Sequence, residues 1–147
     1  MKKKQKTEDV LGALLLLEKD ALGAYERCIA SIQDQRLRSA LEEVRQIHSR
    51  NMEVLEDLLS GFDIELGQLS HMRGFFPNAR GSLERMDRDN GIMESVLTGE
   101  KMVGHTYRTA FEKEMAEWAR MKVEEIYGEQ KRGVELLRAA LMGKRRS

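Results

Sequence analysis

Proline is nearly missing from this chain, and the one present, Pro77, falls near its middle. With a single helix breaker, long stretches on either side are free to be helical. Few aromatics and abundant charge favour the same class. Cysteine is equally scarce: Cys28 stands alone, so no intramolecular disulfide can staple the fold. It sits inside a helical pattern with no local Cys/His/acid signature, and reads as a packed thiol rather than a nucleophile. Net charge is also missing, because 25 basic residues meet 25 acidic ones. No overall field draws the chain toward nucleic acid or anionic lipid. The locally basic ends, Lys2 to Lys4 and Lys144 to Arg146, read as short solvated tails. Long hydrophobic runs are lacking too. The stretch from Leu11 to Leu17 is too short to span a bilayer. Charged Glu18, Lys19 and Asp20 follow it without a small-residue cleavage site, so the expected location is cytoplasmic. There is no glycine-rich phosphate loop, nucleophile elbow or zinc-like cysteine pairing.

What is present is an internal repeat. Residues 15–59 slide forward by 82 positions onto 97–141 without a gap, giving 11 identities in 45 positions. Background composition would give about three. Glu18 and Lys19 meet Glu100 and Lys101, Tyr25 meets Tyr107, Arg38 meets Arg120, and Glu53 meets Glu135. Apolar exchanges keep phase: Leu41 with Val123, Val44 with Ile126. Each half reads as a helical hairpin. In the first, apolar positions 11, 15, 22, 29 and 32 and then 37, 41, 44, 55 and 58 recur at spacings of three and four. Ser31 to Asp34 supplies the turn and N-cap chemistry between them. The spacing predicts hairpins over 8–59 and 92–142, the second turning near Ala116 with helices over 92–114 and 117–142. Residues 60–91 differ, with five glycines, Pro77 and the pair Phe75–Phe76. They are long enough to return along a helix, and a short helix is allowed within them. The predicted architecture is one all-α domain over 1–147, a four-helix bundle of two antiparallel hairpins joined by a long crossover.

The stripes carry polar residues at their centres. Extending each one brings Glu18 and Tyr25 inward on helix 1, His48 and Asn51 on helix 2, Glu100 and Tyr107 on helix 3, and Gln130 and Gly133 on helix 4. Glu18, His48, Glu100 and Gln130 each fall within about two residues of a helix midpoint, and so share one layer. Two carboxylates in a bundle interior need compensation, because an unpaired buried charge costs several kcal/mol. A bound cation, a protonated His48, the hydroxyls of Tyr25 and Tyr107, or protonation of one carboxyl would each supply it.

This layout and its two seam glutamates resemble the ferritin-like superfamily, in particular small bacterial ferritin-like domains of unassigned function with duplicated hairpins. The resemblance covers 8–59 and 90–142. It implies a di-iron site built from a lone Glu on two helices and a Glu-x-x-His pair on the other two. Glu18 and Glu100 match the lone glutamates, and His48 matches the histidine of helix 2. Arg45 stands where the helix 2 glutamate belongs, and helix 4 reads Tyr127 and Gln130. Three of six implied ligands remain, too few for two bridged irons, and an arginine directed inward would repel them.

Two readings follow. The preferred one is a non-enzymatic bundle with an incomplete di-iron site, acting by self-association, as a homodimer, or by binding a protein partner. The other is a metal-binding or redox protein holding one Fe, Mn or Zn ion on Glu18, His48 and Glu100. Gln130, or a register shifted by one turn that brings in Glu43 and Glu125, would complete that set; Glu42, Glu43, Glu124 and Glu125 otherwise read as a solvated rim. His105 and His71 lack companion ligands, and Trp118 reads as packed at the bundle end or in a subunit contact. Gly74 to Pro77 is the expected apolar surface of the crossover.

Overall fold

The aliphatic 3.6-residue stripe read from the sequence folds as four long helices. In a computed structural model, which describes residues 2–62 and 88–146 and the side chains of 7–62 and 88–143, these are α1 (Lys2–Ser31), α2 (Gln35–Leu59), α3 (Arg88–Phe111) and α4 (Glu117–Arg146). The all-α bundle is therefore as expected, with no strand among the described residues. No described helix is long and apolar enough to cross a membrane.

Chain direction follows from contacts at the two ends. Asp34 caps α2, its carboxylate accepting the Leu37 N–H at 3.0 Å. The first turn of α3 sits against this loop, where the Asp89 carboxylate accepts the backbone N–H of Gln33 at 2.9 Å and of Asp34 at 2.8 Å. Arg36 reaches the last turns of α4, donating to the Ala140 carbonyl at 2.9 Å. At the opposite end Thr7 accepts the N–H of Ala116 at 2.9 Å, and Phe62 stacks on Trp118 with centroids 5.9 Å apart. Phe62 and Asp89 thus lie at opposite ends, so α2 and α3 run parallel while α1–α2 and α3–α4 are antiparallel hairpins. Such an arrangement requires the long connection inferred from the sequence.

Leu11, Leu14, Leu15 and Leu17 of α1, Leu37, Leu41 and Leu55 of α2, Ile92 and Val103 of α3, and Val123 and Leu137 of α4 are almost wholly buried. Each contributes roughly 1.5–3 kcal/mol of transfer free energy. The buried face of α1 is broader than the expected stripe. Ala21 and Ala24 are interior while Leu22 and Ile29 are only partly buried, because α1 packs on both α2 and α3.

Several boundaries depart from expectation. Helix α1 begins near Lys2 and α4 runs to Arg146, so the basic ends prolong helices instead of trailing from them. Helix α3 begins at Arg88 and stops at Phe111, which assigns 88–91 to the helix and leaves 112–116 as the turn. Lysine and arginine are good helix formers, and nothing in either tail interrupts the ladder. His71, the expected apolar surface from Gly74 to Pro77, and any short helix within the crossover lie outside the described residues.

Candidate functional site

Halfway along the bundle the aliphatic packing gives way to six polar side chains, one or two from each helix. Glu18 and Tyr25 come from α1, His48 from α2, Glu100 and Tyr107 from α3, and Gln130 from α4. Glu18 is 0% exposed, His48 1% and Glu100 2%. The 3.6-residue pitch carries them there: positions 18 and 25, like 100 and 107, are two turns apart on one face.

The two halves exchange partners. The Tyr25 hydroxyl of α1 donates to Glu100 Oε2 of α3, and the Tyr107 hydroxyl of α3 donates to Glu18 Oε2 of α1. Between the carboxylates stands His48, its Nδ1 at 2.5 Å from Glu18 Oε1 and its Nε2 at 2.7 Å from Glu100 Oε2. The Gln130 amide donates to Glu100 Oε1 at 2.9 Å and to the Glu100 carbonyl at 3.2 Å. Every buried side-chain nitrogen and oxygen among the described residues has a partner.

Geometry and charge together favour a protonated His48. Both ring nitrogens face carboxylate oxygens, an arrangement that favours an imidazolium donating to both. Burial alone would lower its pKa, but Glu100 and then Glu18 outweigh burial and hold it well above 6.5. Burial likewise pushes Glu100 up, and the His48 charge, with hydrogen bonds from His48, Tyr25 and Gln130, brings it below 4.5. Burial first, then the neighbouring carboxylates, raise Tyr25 and Tyr107 well above 10.0, so both remain phenols that donate. Two phenols and the Gln130 amide complete the donors to the two carboxyl groups.

As a ligand set the layer does not fit a di-iron centre. Glu18, His48, Glu100 and Gln130 are brought together as the sequence implied. The two nitrogens of His48, however, point away from each other, each toward a different carboxylate, so the three residues do not surround a common point. Among the described residues no group of three or more His, Cys, Asp and Glu side chains is disposed to hold a metal ion. The shifted register is not adopted: Glu43 and Glu125 are exposed, as are Glu42 and Glu124, and Glu125 pairs with Lys122 at 3.6 Å. Arg45 is directed outward as well, into a shallow surface groove beside Glu42 and Glu43. One residue step on a helix turns a side chain by about 100°, enough to take positions 43 and 45 off a seam defined by 41, 44 and 48.

The remaining candidates lie elsewhere. Cys28 is half-buried, and burial raises its thiol pKa more than nearby Arg27 lowers it, which keeps the sulfur protonated and weakly nucleophilic. His105 is exposed. Trp118 opens α4 and is 49% exposed despite its stack on Phe62. Sequence reasoning missed Asp89, whose carboxylate ties α3 to the first hairpin, because an aspartate in a first helical turn ordinarily signals only a favourable dipole contact. Tyr127, read from the sequence only as a departure from the ligand pattern, stacks on Tyr107 with centroids 5.9 Å apart.

Compared with known families, the chain matches over residues 6–113 the model described as a domain of unknown function, DUF2383, and it belongs to that family. The match takes in most of α1 and all of α2 and α3, with both seam glutamates and His48. No curated protein matches the chain.

Proposed function

We propose that this member of the DUF2383 family is a ferritin-like bundle that works without a di-iron centre, non-enzymatically, by self-association or by binding a protein partner. The observation that carries this reading is the position of His48. Both of its nitrogens are committed to carboxylates, so the layer that would bind metal is instead a closed network joining the two hairpins through Tyr25–Glu100, Tyr107–Glu18 and His48–Glu100. Such a network fixes which hairpin faces which and in what register, the best attested use of buried ionic groups. Association is supported by Trp118 and Met121, both about half exposed on the first turns of α4. The homodimer is the simplest assembly these would form. We assign the protein to the cytoplasm, in keeping with its lone thiol.

A second reading, a mononuclear Fe, Mn or Zn site on Glu18, His48 and Glu100, draws support from the meeting of these three groups in one layer. It requires His48 to lose a proton and turn one nitrogen away from its carboxylate. Elemental analysis of untagged protein separates the two, with Glu18→Gln/Glu100→Gln alongside. Protein that stays metal-free after incubation with each ion supports the network reading. About one ion per chain, lost in the double variant, overturns it in favour of the mononuclear site.

A further inference from the structure

The two halves of the bundle are not closed to the same degree. Along the α3–α4 seam runs a groove of about 850 Å³ whose lining reaches down to Glu100 and Gln130. It owes its depth to glycine. Gly104 and Gly128 line it, where the repeat places Leu22 and Gln46 in the first half. A Cβ added at Gly104 would sit 3.2 Å from the Arg108 guanidinium and 3.6 Å from Gln130 Oε1, whereas nothing lies within 4 Å of one added at Gly128.

The walls are basic although the whole chain is neutral. Lys101, Arg108, Lys131, Arg132 and Arg138 border the groove against two carboxylates, Glu135 and the floor residue Glu100. Arg132 and Arg138 are partly neutralised by Glu129 and Glu135, at 2.8 and 3.5 Å. Arg108 and Lys131 instead engage the neutral Tyr127, Arg108 through the hydroxyl at 3.2 Å and Lys131 over the ring at 4.7 Å from its centroid. Their charge is therefore available to a ligand. Leu97, Val134 and Tyr127 supply an apolar strip between these cations. The volume lies within the roughly 300–1,000 Å³ typical of small-molecule sites, and the mixture of an apolar wall with a few placed polar groups is characteristic of them.

We propose that the α3–α4 groove binds a small organic anion, a phosphate or carboxylate carried on an apolar body. The acid group meets Lys101, Arg108 and Lys131, and the body lies on Leu97, Val134 and Tyr127. The Gln130 carbonyl oxygen, beside Gly104, presents an acceptor to a hydroxyl or amine on the buried end. This site stands independently of how the protein self-associates.

The test is a titration of the folded, full-length protein with phenyl phosphate, followed by the backbone amide signals of Gly104 and Gly128. Inorganic phosphate and benzyl alcohol serve as single-feature controls. Saturable shifts at both glycines are expected, with each control binding roughly tenfold or more weakly. Gly104→Leu restores the side chain of the other half and should abolish the response at Gly128; the Arg108 guanidinium it meets is a flexible end that can swing aside. Should that variant fail to fold, Lys101→Glu/Lys131→Glu alters only exposed residues and should weaken binding at least tenfold. No response to phenyl phosphate, an equal response to inorganic phosphate, or binding unchanged in the charge-reversed variant overturns the proposal.

Discussion

At the scale of single residues, His48 decides what the centre of the bundle is. Removing it while leaving both carboxylates strands two buried charges, so His48→Ala should cost about 3–5 kcal/mol of unfolding free energy, measured by urea denaturation near neutral pH. Glu18→Gln/Glu100→Gln removes the charges with their need for compensation and should keep most of the stability, which separates a charge effect from lost packing. The same residues set the pH profile. The folded pKa of His48 lies above its ordinary 6.5, so its contribution is complete below that pH and is lost as pH rises through the folded value. That of Glu100 lies below its ordinary 4.5, so its contribution is complete above that pH and is lost as pH falls through the folded value. Both are present between 4.5 and 6.5, where this layer is most stabilising. Denaturation midpoints should fall between about pH 5.5 and about pH 8.5 in the wild type, and much less in His48→Gln, where the proton has no site. A rising midpoint over that range would mean that His48 is neutral. Seam periodicity alone made Glu18, His48, Glu100 and Gln130 legible as one layer. It could not reveal the partner of each ring nitrogen, since hydrogen-bond direction depends on rotamers that periodicity does not specify.

At the scale of helices, the repeat can be followed in three dimensions through pairs that exchange roles. Asn51 of α2 donates to the Ile126 carbonyl of α4 at 3.3 Å. Its counterpart Gly133 of α4 lies against Val44 of α2, the counterpart of Ile126. A Cβ at Gly133 would stand 3.2 Å from Val44 Cγ1 and 3.5 Å from Ile47 Cδ1, both nearly fully buried. Their stiff, packed side chains have little room to move, so Gly133→Val should cost roughly 1–3 kcal/mol through overpacking. Gly128, in the same helix with nothing within 4 Å of an added Cβ, behaves oppositely. Gly128→Ala should raise stability by about 0.5–1 kcal/mol, because alanine loses less backbone entropy in a helix. Thermal melts of the two variants check both signs, and equal effects would mean that α2 and α4 do not approach closely at Gly133. The α1–α2 turn was legible because Asp34 supplies an N-cap at the break in the stripe. The far ends of α1 and α4 were not, because charged residues with good helix propensity continue a helix without any apolar signal.

At the scale of the whole molecule, the order of hairpin, crossover and hairpin follows from the repeat and its spacing, since helices of this length joined by a turn of three to five residues must fold back on themselves. Surface association is harder to read, because exposure depends on how far each seam rotates. Trp118 and Met121 emerge 49% and 59% exposed, one turn apart at the start of α4. A tryptophan that stacks on Phe62 with one face and leaves much of the other in water is a typical anchor of a protein–protein contact. In a homodimer related by a two-fold axis, both subunits use the same patch, so one substitution acts twice. Sedimentation of the wild type should then depend on concentration, and Trp118→Lys/Met121→Lys should shift the population to monomer by about a hundredfold or more in dissociation constant. Trp118 fluorescence should move to the blue as the wild type is concentrated and remain fixed in a Met121→Lys variant. An invariant monomer at all concentrations would remove self-association and leave a different protein as the partner of this face. Neither variant touches the central layer, so His48 should titrate as in the wild type, separating lost association from lost fold.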